Sequence, residues 1–242
     1  MALSASDLRL VLKRLADKTF QTSQERDQLL AQLATADGLK AKDLAWMLFR
    51  PDRAYRDAVL PILKRVADPE TPDAVIGESR GKPEAAVRAA AASLFSLGLP
   101  GTERRIAEIG VQGKGEAQEI ARRLLLDAPP SPALEPVLWH LATAGRVEER
   151  LAYLGKLAAQ PPDAKSLPRW QRLARDPEKA LREKALAVLA QHDAAGSVDL
   201  FVEQLPLVDY TTQQALVEAL TRAAASQGPA FADRILPLIA AW

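Results

Sequence analysis

The chain contains no cysteine. That single absence excludes disulfides, thiolate zinc sites, cysteine-ligated iron–sulfur clusters and cysteine nucleophiles together. Histidine is nearly missing too, with only His140 and His192, and no His-x-x-x-His spacing exists for a helical zinc site. No metal or cofactor is therefore expected. Residues that favour strands are scarce: 13 valines, 7 isoleucines and 12 aromatics cannot supply an ordinary sheet protein. Charge of one sign is lacking as well, since 32 basic residues face 31 acidic ones for a net +1. Residues 1–190 carry +5 and the rest −4, a weak gradient beside the basic stripe that a nucleic-acid binder needs. Long apolar runs are missing, and the stretches free of charge and proline fall short of the roughly 18 residues that span a bilayer. Asp7, Arg9, Lys13 and Arg14 interrupt the first segment, which reads as an amphipathic helix and not a secretory leader. The expected location is cytoplasmic.

What is abundant is alanine, 45 residues, and leucine, 37, together about a third of the chain. Both are strong helix formers, so an all-α fold is expected. Their placement repeats. Leu181, Ala185, Val188 and Leu189 recur at spacings of three and four after Asp176-Pro177, where Asp176 is expected to cap a helix and Pro177 to occupy its first position. Val87, Ala91 and Leu94 repeat the phrase, as do Tyr55 with Ala58 or Val59, and Ala117, Ala121 with Leu124. The mid-helix alanines Ala58, Ala91, Ala121, Ala152, Ala185 and Ala215 follow one another at 33, 30, 31, 33 and 30 residues. A period near 31 residues is the mark of a stacked helical repeat.

Seven helical hairpins follow from this beat and from the breakers between them. They pair 4–17 with 23–36, 40–49 with 52–67, 71–79 with 83–97 and 101–111 with 115–126. The remaining pairs are 132–143 with 146–159, 164–175 with 178–190 and 196–207 with 210–225, followed by one unpaired helix at 229–241. Pro61, Pro136, Pro206 and Pro237 fall inside these helices, so each should bend its helix or sit in a first turn. No long linker interrupts the series, so residues 1–242 are read as one domain.

At Asp176-Pro177, Leu181-Arg182-x-x-Ala185 and Val87-Arg88-x-x-Ala91, the sequence resembles HEAT repeats, the armadillo-like helical hairpins. The resemblance implies a right-handed α-α superhelix, with about seven hairpins and a terminal helix, whose second helices line a concave surface. The turn aspartate of the family has counterparts in Asp52, Asp176 and Asp209, while the third hairpin has Lys82 near that place. Its helix-start arginine has counterparts in Arg56, Arg88, Arg150 and Arg182, whereas the fourth and seventh hairpins offer Gln118 and Thr212. The Asp–Arg ladder of the family should accordingly be incomplete here.

No catalytic set emerges from the residues. Gly110-Val-Gln-Gly-Lys-Gly115 lacks the hydroxyl residue and preceding strand of a phosphate loop and reads as a turn between helices. Acid pairs such as Glu148-Glu149 suit a solvated helix surface. Trp46, Trp139, Trp170 and Trp242 fall one to a region, as core anchors do. The expected function is that of a non-enzymatic scaffold holding a protein partner on the concave surface. Its candidate contacts are Arg53, Arg56, Lys64, Arg88, Arg122, Arg123, Arg150, Lys156, Arg182 and Glu183, a mixture of signs that suits a protein better than a phosphate backbone.

Two alternatives rest on resemblance: a HEAT-like DNA glycosylase and a bilin-lyase-like HEAT protein. The first implies a tryptophan with an acid one turn later, but Arg50, Thr143 and Ala174 stand there. The apolar end at Ile239 to Trp242 adds an expectation of self-association or of continuation into a further domain.

Overall fold

The computed structural model describes residues 4–240 and contains only helices, turns and loops among them. The elements are α1 (Ala5–Ala16), α2 (Ser23–Ala34), α3 (Ala41–Leu44) with a 3-10 continuation (Ala45–Phe49), α4 (Arg53–Val66), α5 (Thr71–Ser79), α6 (Glu84–Ser96), α7 (Thr102–Gln112) and α8 (Gly115–Asp127). They continue with α9 (Glu135–Thr143), α10 (Val147–Leu157), α11 (Leu167–Leu173), α12 (Lys179–His192), α13 (Val198–Gln204) with a 3-10 turn (Leu205–Leu207), α14 (Tyr210–Gln227) and α15 (Pro229–Ala240). Every helix expected from the sequence is present, and the second helices begin at 23, 53, 84, 115, 147, 179 and 210. No helix among the described residues is long and apolar enough to cross a membrane.

The differences lie at helix starts. Pro177 does not open α12; the helix begins at Lys179, and Asp176 Oδ1 instead accepts the Glu178 amide at 2.9 Å. Residues 164–166 join a capping turn instead of α11, because Asp163 Oδ1 takes the Lys165 and Ser166 amides at 3.0 and 2.7 Å. Asp52 and Asp209 do cap their helices, accepting the amides of Ala54 and Thr212. Pro136 sits in the first turn of α9, where its missing amide hydrogen costs nothing, while Pro61 and Pro237 lie in helix interiors.

The repeat is clearest when counted from each helix start. The fourth residues of the second helices are Arg26, Arg56, Val87, Gln118, Arg150, Arg182 and Gln213. Three residues further come Leu29, Val59, Ala90, Ala121, Tyr153, Ala185 and Leu216, all buried. Seven residues further, a leucine stands in every case: Leu33, Leu63, Leu94, Leu125, Leu157, Leu189 and Leu220. Spacings of three and seven place these positions on one helix face. Six of the seven leucines are buried and Leu157 is half-buried.

The alanine beat needs correction. Ala91, Ala121 and Ala185 are buried, but Ala58 is half-buried and Ala152 and Ala215 are exposed, and their neighbours Val59, Tyr153 and Leu216 take the inward place. The inward slot therefore accepts any apolar side chain that fills it, and leucine one to two turns on carries the constant contact.

The chain divides into two compact units, Met1–Val137 and Leu138–Trp242. In the first, α2 packs on α4 and α6 on α8, while α3 packs on α5 and α5 on α7. Second helices thus meet second helices, and first helices meet first helices. Tyr55 is buried there and donates its hydroxyl to the Leu15 carbonyl at 3.2 Å. Trp46 lies 5.9 Å from the Tyr55 ring, and the Arg50 guanidinium stands 4.9 Å over Trp46. In the second unit α10, α12 and α14 pack in succession, α11 packs on α12 and α14 carries α15. Trp139 and Trp170 meet edge to face with centroids 5.0 Å apart in its core.

Turn carboxylates join neighbouring segments. Asp68 accepts the Ala41 amide at the start of α3 and the Glu70 amide just before α5, each at 2.9 Å. Those amides, Ala41 first, hold its carboxyl below the usual range. The Ser166 amide does the same for Asp163 and the Thr212 amide for Asp209.

Two outcomes follow from this packing. Leu189→Ala should cost about 3 kcal/mol by leaving a cavity, and Leu157→Ala distinctly less, in chemical denaturation. The depressed carboxyl values mean that their stabilisation is present above the unfolded pKa and lost as pH falls through the folded one. Melting temperature should therefore stay level from about pH 8 to 5 and drop below about pH 4. Asp68→Asn should lower it at neutral pH and make the acid drop shallower.

Candidate functional site

The candidate contacts lie on or beside second helices, and the structure divides them by what they touch. The inner group braces the helix pairs. Arg150 Nε donates to the Ala142 carbonyl at 3.0 Å, near the end of α9, and its Nη2 donates to Asp176 Oδ2 at 2.7 Å. Both side chains are largely shielded, at 17% and 13% exposure. Arg182 Nη1 donates to the Asp176 carbonyl at 2.9 Å. Gln118 and Gln213, at the same helical position, donate to the carbonyls of Val111 and Leu205 at 3.2 and 2.8 Å. The Ala142, Val111 and Leu205 carbonyls lie at the C-terminal ends of first helices, where intrahelical donors run out, while Asp176 lies in the turn after α11. Arg122 adds a related bond to the Gly110 carbonyl at 2.9 Å.

Arg150 reaches an aspartate 26 residues ahead, and Arg26 does the same, bonding Asp52 at 2.5 Å. Arg26 was not among the sequence candidates, although its place as fourth residue of α2 marks it. Gln213, not Thr212, occupies that position in α14. Twenty-six residues beyond Arg56 stands Lys82. Arg56 is half-buried and forms no ion pair among the described residues. Arg88 is displaced by one residue, because Val87 fills the inward place, and it projects to solvent at 63% exposure.

The outer group lies beyond the braces and ranges from exposed to half-buried. Arg53 pairs with Asp57 at 3.2 Å, Lys64 is exposed, and Lys156 is half-buried. Glu183 lies 3.6 Å from Lys179, which also faces Asp209 at 3.4 Å. Two candidates converge in the first unit. Arg88 and Arg123 line a cleft of about 80 Å³ between α6 and α8, with Glu84, Val87, Leu126 and Asp127. Arg88 bonds Glu84 at 2.7 Å and lies 3.7 Å from Asp127, while Arg123 is exposed and forms no ion pair among the described residues. The cleft thus presents both signs of charge around an apolar strip.

Other motifs fall into structural roles. Gly110 lies in α7 and Gly113 closes it, so the glycine run is the turn into α8. A Cβ at Gly110 would come 3.0 Å from Leu125, so this glycine permits the close approach of α7 and α8. Glu149 bonds Arg146 at 2.7 Å. His140 is exposed, and His192 ends α12, where a cationic ring favours the helix dipole. Among the described residues no group of three histidines or carboxylates is placed to hold a metal ion. On α15, Leu236 and Leu238 are exposed while Ile235 is buried. Trp242 lies outside the described residues.

Among known proteins, no family model and no curated relative matches the chain.

The bracing role separates the arginines in a measurement. Arg150→Ala should cost about 2–4 kcal/mol in denaturant unfolding, since it strands Asp176 and a helix-end carbonyl. In a double-mutant cycle Arg150 and Asp176 should show clear coupling. Arg53→Ala, at the exposed pair, should change stability by less than about 0.5 kcal/mol.

Proposed function

We propose that the helix pairs are repeats of a HEAT-like α-solenoid, and that the chain is a non-enzymatic cytoplasmic scaffold holding a protein partner on its second helices. The beat of 30 to 32 residues between second-helix starts supports the repeat reading, as does the packing of second helix on second helix within each unit. The Arg26–Asp52 and Arg150–Asp176 struts support the kinship with HEAT hairpins. The observation that carries the functional reading is the α6–α8 cleft, where Arg88, Arg123, Glu84 and Asp127 surround an apolar strip. A mixed pattern of this kind complements a peptide of mixed charge, whereas like charges on a phosphate backbone would meet Glu84 and Asp127.

The test is affinity capture from source lysate by the wild type, by the doubly reversed R88E/R123E variant and by R53E as an exposed control. Arg122 is left unchanged because it braces α7. A partner retained by wild type and control, and reduced at least tenfold by the reversal, is the expected result. Equal retention by all three would overturn the cleft as the contact. Salt-sensitive binding of duplex DNA, or a turnover activity lost on a single polar substitution, would overturn the scaffold reading itself.

A further inference from the structure

The turn between α2 and α3 carries Asp37 followed by Gly38, and no other aspartate of the chain precedes a glycine. The Asp37 side chain is 87% exposed. Arg65 stands 3.8 Å from it, too far for a hydrogen bond, and donates instead to the Ala36 carbonyl at 2.7 Å. Gly38 has a φ of +72°, and no atom lies within 4 Å of the place a Cβ would take. The amides of Asp37, Gly38 and Leu39 donate to no described group. An accessible carboxyl, an unbonded amide on the next residue and a backbone that no amide hydrogen bond pins therefore occur together.

Other aspartates lack parts of this set. Asp57, Asp73 and Asp233 lie inside helices, where the following amide is tied to the helical ladder. Asp68 and Asp176 precede proline, which has no amide hydrogen. Asp163 stands in a turn, but its carboxylate is occupied by the Lys165 and Ser166 amides. The Asp193 carboxylate takes the Ser197 hydroxyl at 3.0 Å.

We propose that Asp37 is a site of spontaneous isoaspartate formation. The Gly38 nitrogen bonds to Asp37 Cγ, the hydroxyl of the protonated carboxyl leaves as water with the amide hydrogen, and a succinimide ring closes. A following side chain would crowd this ring, and glycine has none. Water then opens the ring at either carbonyl. Opening at the side-chain carbonyl restores aspartate, while opening at the main-chain carbonyl leaves the chain running through Cβ and Cγ. Water is lost and regained, so no oxidant or cofactor is required. The product adds one carbon to the backbone between two fixed points. Ala36 is buried with its carbonyl held by Arg65, and Leu39 is buried just before the Ala41 amide that Asp68 holds. Isoaspartate therefore strains the junction between the first two helix pairs and lowers their stability. This inference stands apart from the scaffold reading.

The full chain is held for several weeks in oxygen-18 water at physiological temperature and mildly acidic pH, then digested and mapped by electron-transfer mass spectrometry. Isoaspartate carrying one oxygen-18 should accumulate at residue 37 at least tenfold faster than at Asp73 or Asp163. The aged protein should also melt at a lower temperature than the fresh one. Asp37→Glu keeps the charge but requires a larger ring that closes far more slowly, so it should resist both changes. Absence of isoaspartate at residue 37 in the folded chain would overturn the proposal, whether or not the urea-unfolded chain forms it. Equal accumulation at Asp73 would overturn it as well. An unchanged melting temperature in a sample rich in isoaspartate would overturn the strain at the junction.

Discussion

Each helix pair in this protein has an apolar face that it cannot bury by itself, because two helices of about a dozen residues enclose no core. The face must be covered by a neighbouring pair. The leucine seven residues after the fourth position of every second helix meets that requirement, and six of those seven leucines are sealed from solvent. Second helix therefore packs on second helix within each unit, and the braces and turns follow from it. If that face were polar, the pairs would have no reason to associate.

Stacking brings the C-terminal end of each first helix beside the start of its partner, and the carbonyls there need donors. Three side chains at the same helical position supply them, Gln118, Arg150 and Gln213, and a fourth, Arg182, bonds the turn carbonyl of Asp176. Arginine and glutamine share this task because both carry an N–H on a side chain long enough to reach back. Only arginine can also bridge to the aspartate of the next pair, so the ion-paired form appears at Arg26 and Arg150 and not elsewhere among these positions. Charge at a helix start is thus mostly spent inside the fold. The groups left for an outside partner are those displaced from the brace, such as Arg88, or placed beyond it, such as Arg123.

The helices and their order were legible in the sequence because periodicity and breakers are local properties. Prediction blurred where capping chemistry competed with helix propensity. Asp163 drew residues 164–166 into a turn, and Asp176 capped from outside the helix because Pro177 has no amide hydrogen to give. The alanine beat slipped by one residue in the second, fifth and seventh pairs, since spacing alone cannot say which of two adjacent apolar residues faces inward. Among the candidate contacts, Arg150 and Arg182 look like Arg88 in the sequence, and only their carbonyl and aspartate partners separate them.

Composition and spacing by themselves determined an all-helical chain of repeated pairs, without sulfur chemistry and with little histidine, because these depend on residue identity and short-range period. Tertiary structure decided which arginines are braces and which face solvent. It also decided that Trp139 and Trp170 meet in one core. Those outcomes depend on which residues, distant along the chain, are brought together when apolar faces are buried, and no local pattern records that.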